Sequence, residues 1–278
     1  MTQNSLTTKG GVWVIKDEPF THIEIIENND SALVRKKYIT KPGLWWRTVI
    51  FPSKAFREFR NLSLLKKKGV PCVDAVSWSE ERGFLSRVCS CTVETRFVKG
   101  CVNLKKFFRE VSPETKEGRK KRIAYCMAFG RILKKLHEAG IFHGAASTRN
   151  FLAHGDSKNP NVIICDVPYS ISFRRSIRGK FIGELDLYDA LFAPSRKKEF
   201  SCTERFRILK IYTDNDSKLI QKIWKRLDKR KRWKNKMIKG MFFVLENYLL
   251  FIVRVILGRR ELTLKSKAGG VSGSKRSG

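Results

Sequence analysis

The chain has 278 residues, 42% of them apolar, which is enough for a domain with a sizeable core and too apolar for a disordered chain. It carries 58 Lys and Arg against 26 Asp and Glu, a net charge of +32, so a polyanionic partner is expected: nucleic acid, anionic lipid head groups or a phosphorylated glycolipid. Seven cysteines without a Cys-x-x-Cys pair read as reduced, buried thiols of a cytosolic protein; with four scattered histidines they argue against a structural zinc, and residues 1–10 lack the apolar run of a secretory signal.

Residues 12–51 alternate and are rich in β-branched and aromatic side chains. Val12–Ile15, Ile23–Ile26 and Ala32–Tyr38 predict three strands of a meander, with Asn28-Asn29-Asp30-Ser31 as a turn between the last two. Pro52-Ser53 predicts the cap of a helix over 54–68, where Phe56, Phe59, Leu62 and Leu65 form an apolar stripe and Gly69 marks the end. Residues 70–76 and 84–98 predict two more strands. Residues 104–111 predict a short helix. Residues 120–139 predict a strong one, with Ile123, Met127, Gly130, Ile132, Leu133 and Leu136 inward and Gly140 supplying its C′ turn. Further helices are predicted over 182–192, 204–212 and 218–236.

The stretch after residue 217 is basic, with Lys218, Lys222, Lys225, Arg226, Lys229 and Arg230 set beside Trp224 and Trp233. An apolar run over 241–257 follows, short of the ~20 residues a spanning helix needs. Glu246, Asn247 and Arg254 give it one polar edge, which favours a helix in the membrane interface, or packed on the fold, over a span. The Gly-, Ser- and Lys-rich tail over 261–278 is predicted to be disordered.

His143-Gly144-Ala145-Ala146-Ser147-Thr148-Arg149-Asn150 has the His-x-Asp-x-x-x-x-Asn spacing of a phosphoryl-transfer loop, with alanine in the aspartate's place. Asp166 follows the apolar run Val162–Cys165, where such a site puts its metal-binding aspartate. Phosphoryl transfer needs the triphosphate held, the metal held and the acceptor hydroxyl aimed. Asn150 and Asp166 offer magnesium the oxygen ligands it prefers. Either residue alone would be an ordinary turn residue; the joint spacing carries the reading. On the third strand Val34-Arg35-Lys36 fits the end of a Val-Ala-Ile-Lys motif. Alternation favours Lys36 over Lys37, because it puts Val34 rather than Arg35 on the same face. Glu58, the only acid within 54–68, is the candidate partner of that lysine; the plainer alternative is an exposed helix glutamate. His143 is expected to be buried and structural, bonding to backbone near Asp166. Asp186 is expected to brace the 143–150 loop, and Asp156 is a distant candidate for a replacement base. No Gly-x-Gly lies between the first two strands, where Lys16-Asp17-Glu18-Pro19 stands instead, and Asp166-Val167-Pro168 replaces Asp-Phe-Gly.

The run Lys135 to His143, followed by Asn150 and Asp166, resembles the protein-kinase-like superfamily. Within it the chain is similar to the bacterial lipopolysaccharide core (Kdo and heptose) kinases, a likeness supported by Glu184–Leu191 and Thr203–Tyr212. The resemblance implies an α+β, bilobal fold. A small antiparallel N-lobe with one helix would occupy 1–98, a mainly helical C-lobe 99–236, an extra apolar helix 237–260 and a basic tail 261–278. It implies ATP and Mg2+ as cofactors, with Lys36 and Glu58 on the nucleotide, Asn150 and Asp166 on the metal, and His143 and Ala145 in the catalytic loop. It further implies an acceptor hydroxyl on core lipopolysaccharide or another anionic glycolipid, and work on an anionic membrane surface at the inner face of the cell membrane. Ala145 departs from the pattern, since alanine can neither accept nor orient a proton. Two alternatives stand beside this reading: a pseudokinase that binds nucleotide, glycolipid or a protein without turnover, and a basic nucleic-acid-binding protein, which no helix-turn-helix, RNP or zinc-finger pattern supports.

Overall fold

A computed structural model describes residues 8–9, 12–28, 31–84, 87–172, 183–197 and 199–229, with positions 237, 240, 241 and 244 besides. The basic stretch beyond 229, nearly all of the apolar run over 241–257 and the tail over 261–278 lie outside the described residues.

The architecture is α+β. A six-stranded antiparallel sheet opens the chain, in the order β1-β2-β3-β4-β6-β5, formed by β1 (Thr8–Lys9), β2 (Val12–Glu18), β3 (Thr21–Asn28), β4 (Ser31–Ile39), β5 (Ala75–Arg82) and β6 (Val88–Arg96). Helices α1 (Trp45–Ile50) and α2 (Lys54–Lys67) lie between β4 and β5. In β4 the alternation sorts the charges. Arg35 pairs with Glu24 and Glu94 on one face, while Lys36 and Tyr38 are buried on the other. Lys36 stands opposite Ile23 and Val93, and Val34 opposite Ile25 and Thr95, so the Lys36 face is otherwise largely apolar.

The Ser53 hydroxyl caps α2 by accepting from Phe56 N at 3.1 Å, as Pro52-Ser53 suggested. The helix ends at Gly69, whose φ of +67° is the left-handed turn that glycine takes at least cost. Its Leu62 and Leu65 pass into the main core, which continues through α3 (Leu104–Glu110), α4 (Lys116–Glu138), α7 (Cys202–Tyr212) and α8 (Ser217–Asp228). Two small sheets frame the junction: β7 (Val102–Asn103), β9 (Phe151–His154) and β10 (Asn161–Ile164) in one, β8 (Ile141–Phe142) and β11 (Ile171–Ser172) in the other. Gly130 lets α4 approach α7 closely; a Cβ there would sit 2.8 Å from the Ile208 carbonyl oxygen.

Several element boundaries differ from the expectations. The strand expected over 70–76 begins at Ala75, because Gly69 to Asp74 crosses the molecule as a connection in which Cys72 bridges Ile164. The strand expected over 84–98 is β6 alone; Phe84 is 79% exposed in the preceding turn. Helix α4 starts four residues early, where Thr115 caps it through Gly118 N. Met127 faces outward, and Arg122 and Phe129 are buried in its stead. The segment expected as one helix over 182–192 is α5 (residues 183–187) running into a π-helical turn, Tyr188–Phe192, followed by a short α6 (Pro194–Lys197). Helix α1 has no counterpart among the expectations. All seven cysteines are free thiols.

Candidate functional site

Lys36 leaves β4 toward α2, where its ammonium donates to Glu58 Oε1 at 2.6 Å and to the carbonyl oxygen of Cys165 at 2.9 Å. Tyr38, two residues on and on the same face, donates its hydroxyl to Glu58 Oε2 at 2.8 Å. Burial alone would lower the Lys36 pKa, but Glu58 and Asp166 outweigh it and hold the ammonium above its ordinary value. Burial pushes the Glu58 carboxyl up against the pull of Lys36, and Asp166 adds to the push. The Tyr38 phenol is also driven up, chiefly by burial.

Asp166 follows β10 after one intervening residue, and its Oδ1 is buried with no hydrogen-bond partner among the described residues. A carboxylate oxygen withdrawn from water and left without a donor is costly unless a cation or ligand completes it. The loop after it is clamped to α2: Asn61 Nδ2 donates to the carbonyl oxygens of Val167, at 2.8 Å, and Ser170, at 3.1 Å.

The 143–150 loop reaches the same place from the helical side. Cys165 N donates to the Asn150 carbonyl at 3.0 Å, setting Asn150 next to Asp166 along the backbone. Asn150 Nδ2 donates to the Ala145 carbonyl at 2.7 Å and so ties the ends of the loop together. Asp186, in α5, braces the other end. Its carboxylate accepts from His143 N at 2.5 Å and Gly144 N at 3.1 Å, and lies 3.2 Å from His137 Nε2. The buried His143 ring accepts from Ala145 N at 3.4 Å, within its own loop, and its carbonyl receives the Ser170 hydroxyl at 3.2 Å. Gly144 adopts φ +80°, and a Cβ there would lie 2.4 Å from the Tyr169 carbonyl oxygen, so the 143–150 and 166–170 loops touch at a point only glycine permits.

Thr148, buried under the loop, donates to Glu199 Oε2 at 2.6 Å and accepts from Arg196 Nη1 at 2.5 Å; Arg196 and Glu199 are themselves paired. Asp156, the distant candidate for a replacement base, is engaged in its own turn. Its Oδ1 accepts from Lys158 N and Asn159 N, both at 2.8 Å, inside the β9–β10 turn. Those two donors hold its carboxyl below the usual carboxylate range.

The structure therefore brings Lys36, Glu58, Asn150 and Asp166 together, with His143 and Ala145 in the adjoining loop. Reading the sequence missed Tyr38, Asn61 and the Thr148–Arg196–Glu199 cluster. Asn61 carried a signal, since it lies one helical step beyond Glu58 on the same face. The oxygen donors of Asn150 and Asp166 suit magnesium, which prefers few protein ligands supplemented by phosphate and water. No group of three or more His, Cys, Asp or Glu side chains placed to hold a metal occurs among the described residues. The hairpin between β2 and β3, which lacks a Gly-x-Gly, turns tightly at Pro19-Phe20. Its acids are occupied, Glu18 with Lys16 and Asp17 with His22, each at 2.9 Å.

An antiparallel sheet with one inner helix, a lysine–glutamate pair across them and an Asn/Asp pair below define the class: this is a protein-kinase-like fold. The model of the lipopolysaccharide kinase (Kdo/WaaP) family matches residues 21–180, more than half of the chain and a span that includes the positions of the six residues singled out above. The chain belongs to that family. A solved structure, WaaP in complex with acyl carrier protein, is similar over 78% of this chain and 87% of its own, with a TM-score of 0.53 and 16% sequence identity, a likeness of fold. In all, 1522 solved chains match, so the fold by itself selects no activity. No curated protein sequence matches the chain.

Proposed function

We propose that the protein is a lipopolysaccharide core sugar kinase that binds ATP and Mg2+ in this cleft and transfers the γ-phosphate slowly to a sugar hydroxyl of the inner core. The observation that carries the reading is the Lys36–Glu58 pair, at 2.6 Å, beside an Asp166 oxygen that lacks a donor. Lys36 would hold the nucleotide phosphates. Asn150 and Asp166 would hold the magnesium, whose chemistry is to neutralise charge on the phosphates. What the chain lacks is a carboxylate at Ala145 to take the acceptor proton. General-base help is worth ~10²–10⁴-fold. Positioning and charge neutralisation supply most of the rate in a loose phosphoryl transfer, so the hydroxyl can still be phosphorylated at a reduced rate, its proton passing to solvent.

The second reading, a pseudokinase, is favoured by Ala145 itself, set in a loop braced by Asp186 and Asn150. Under both readings the protein works on an anionic membrane surface. Lys218, Lys222, Lys225 and Lys229 stand exposed along α8 and its C-cap, while the apolar Ile220, Ile223 and Leu227 face the core. Each basic residue near such a surface contributes ~1 kcal/mol. Trp224 is no part of that anchor, since it packs against Phe192 with ring centroids 5.1 Å apart. No helix among the described residues is long and apolar enough to cross a membrane.

The test is phosphate transfer from labelled ATP to core lipopolysaccharide by the chain and by its Ala145→Asp variant. A gain of ~10²-fold or more in the variant supports an impaired kinase site. Strong, equal activity in both shows that another group serves as base. Inactivity of both, with ATP binding retained, establishes the pseudokinase.

A further inference from the structure

One face of α2 carries four polar residues at helical spacing, the half-buried Lys54 and Arg57 and the buried Glu58 and Asn61. Two of them are committed to the cleft, Glu58 through Lys36 and Asn61 through the 166–170 loop. Lys54 lies one turn before Glu58 on this face. Its ammonium sits 3.8 Å from the centroid of the Tyr38 ring, and the hydroxyl of that ring is bonded to Glu58. Tyr38 thus forms a shelf that supports a second cation beside the Lys36–Glu58 pair. Among the described residues the Lys54 side chain has no hydrogen-bond acceptor.

An aromatic face attracts an ammonium but accepts none of its three hydrogen bonds as an oxygen would. The surrounding charge is consistent with a place in the cleft. Burial depresses the Lys54 pKa, and among its charged neighbours Asp166 and then Glu58 act most strongly to restore it. Lys36 and Lys54 therefore both feel the two carboxylates Glu58 and Asp166, and Arg57 adds to the positive charge around Lys54. The hairpin above has no glycine turn to wrap a phosphate and carries Asp17 and Glu18 instead. Phosphate oxygens in this cleft need donors from another side, and α2 is the side that has one to spare.

We propose that Lys54 is a second phosphate-binding cation of the cleft, gripping the terminal phosphates of a nucleoside triphosphate from the α2 side together with Lys36, in the absence of a glycine-rich cover. The assignment rests on the nucleotide-binding reading above. It adds that affinity for the phosphates is divided between β4 and α2, and that Lys54 discriminates by phosphate number and not by base.

The experiment is calorimetric titration of the full chain and its Lys54→Met and Lys54→Arg variants with Mg-ATP, with adenosine measured by competition. Charge-assisted hydrogen bonds of this kind correspond to ~10-fold or more in affinity. Lys54→Met should lose that factor for ATP and leave adenosine unchanged, whereas Lys54→Arg should stay within ~3-fold of the parent, an arginine being able to donate to the same oxygens. Thermal melting of the three proteins checks that the fold is unaffected. If Lys54→Met binds ATP as tightly as the parent does, the Lys54 assignment falls and the nucleotide site stands. If the parent chain binds neither ATP nor adenosine, both fall together.

Discussion

Two of the buried cation–carboxylate clusters among the described residues are built on opposite terms. In the helical core, the Arg122 guanidinium donates to both oxygens of Glu204, at 2.6 and 3.0 Å, and to the carbonyls of Phe108, Val111 and Glu199. Glu204 also accepts from Ser201 N at 2.8 Å, completing the capping box of α7. All three guanidinium nitrogens and both carboxylate oxygens are used, all by protein. In the cleft, Lys36 and Glu58 are as tightly paired, yet an Asp166 oxygen lacks a donor and Lys54 lacks an acceptor among the described residues. A cluster that satisfies itself holds a fold together. A cluster that leaves both a donor and an acceptor over is finished only by something that binds.

The largest effect that sharpens the contrast is expected at Arg122. Arg122→Met leaves Glu204 buried without its counter-charge and should cost ~3–5 kcal/mol in urea unfolding, with nucleotide affinity unchanged in whatever fraction folds. Lys36→Met should do the reverse. Its main loss is expected in Mg-ATP affinity, ~10- to 100-fold by calorimetry, from the missing charge-assisted contact. Its cost in unfolding should be smaller than that of Arg122→Met, because burial and Asp166 already push the Glu58 carboxyl toward its protonated form, and Tyr38 still bonds it. Equal destabilisation by both variants, with no change in ATP affinity for Lys36→Met, would break the comparison.

The smallest effect is one of pH. Burial acts to raise the Glu204 pKa, but its hydrogen bonds to Arg122 and Ser201 prevail and the net shift is downward. A carboxyl whose folded pKa is depressed contributes stability that is present above its unfolded value and is lost as the pH falls through the folded one. Unfolding free energy should therefore decline below about pH 4.5. That decline should be shallower in an Arg122→Met, Glu204→Leu double variant, in which the titrating group is gone. Identical acid slopes would show that Glu204 contributes nothing to acid sensitivity.

Much of the cleft could be read before any coordinates, and the reasons are local. Strand alternation separates Lys36 from Lys37, and the structure explains why it works: Arg35 and Lys37 have acids to meet on the sheet away from α2, Glu24, Glu94 and Glu81. Glu58 stood out as the only acid of its helix. Lys54 and Asn61 were equally readable by spacing from Glu58, but polar residues on a helix are usually solvated, and nothing local says that this face is enclosed. The Thr148–Arg196–Glu199 and Arg122–Glu204 clusters join residues 48 to 82 positions apart, so no window of sequence contains them. The misplaced strand over 70–76 has the same cause. Val70, Cys72 and Val73 are apolar and alternate acceptably, but their partners are α2 and β10 instead of the large sheet.

One consequence follows from Asp186. Because its carboxylate holds the backbone amides of residues 143 and 144 from outside the loop, those two contacts do not involve the side chain at 145. Alanine and aspartate codons can differ by a single base, so position 145 stands one mutational step from a carboxylate.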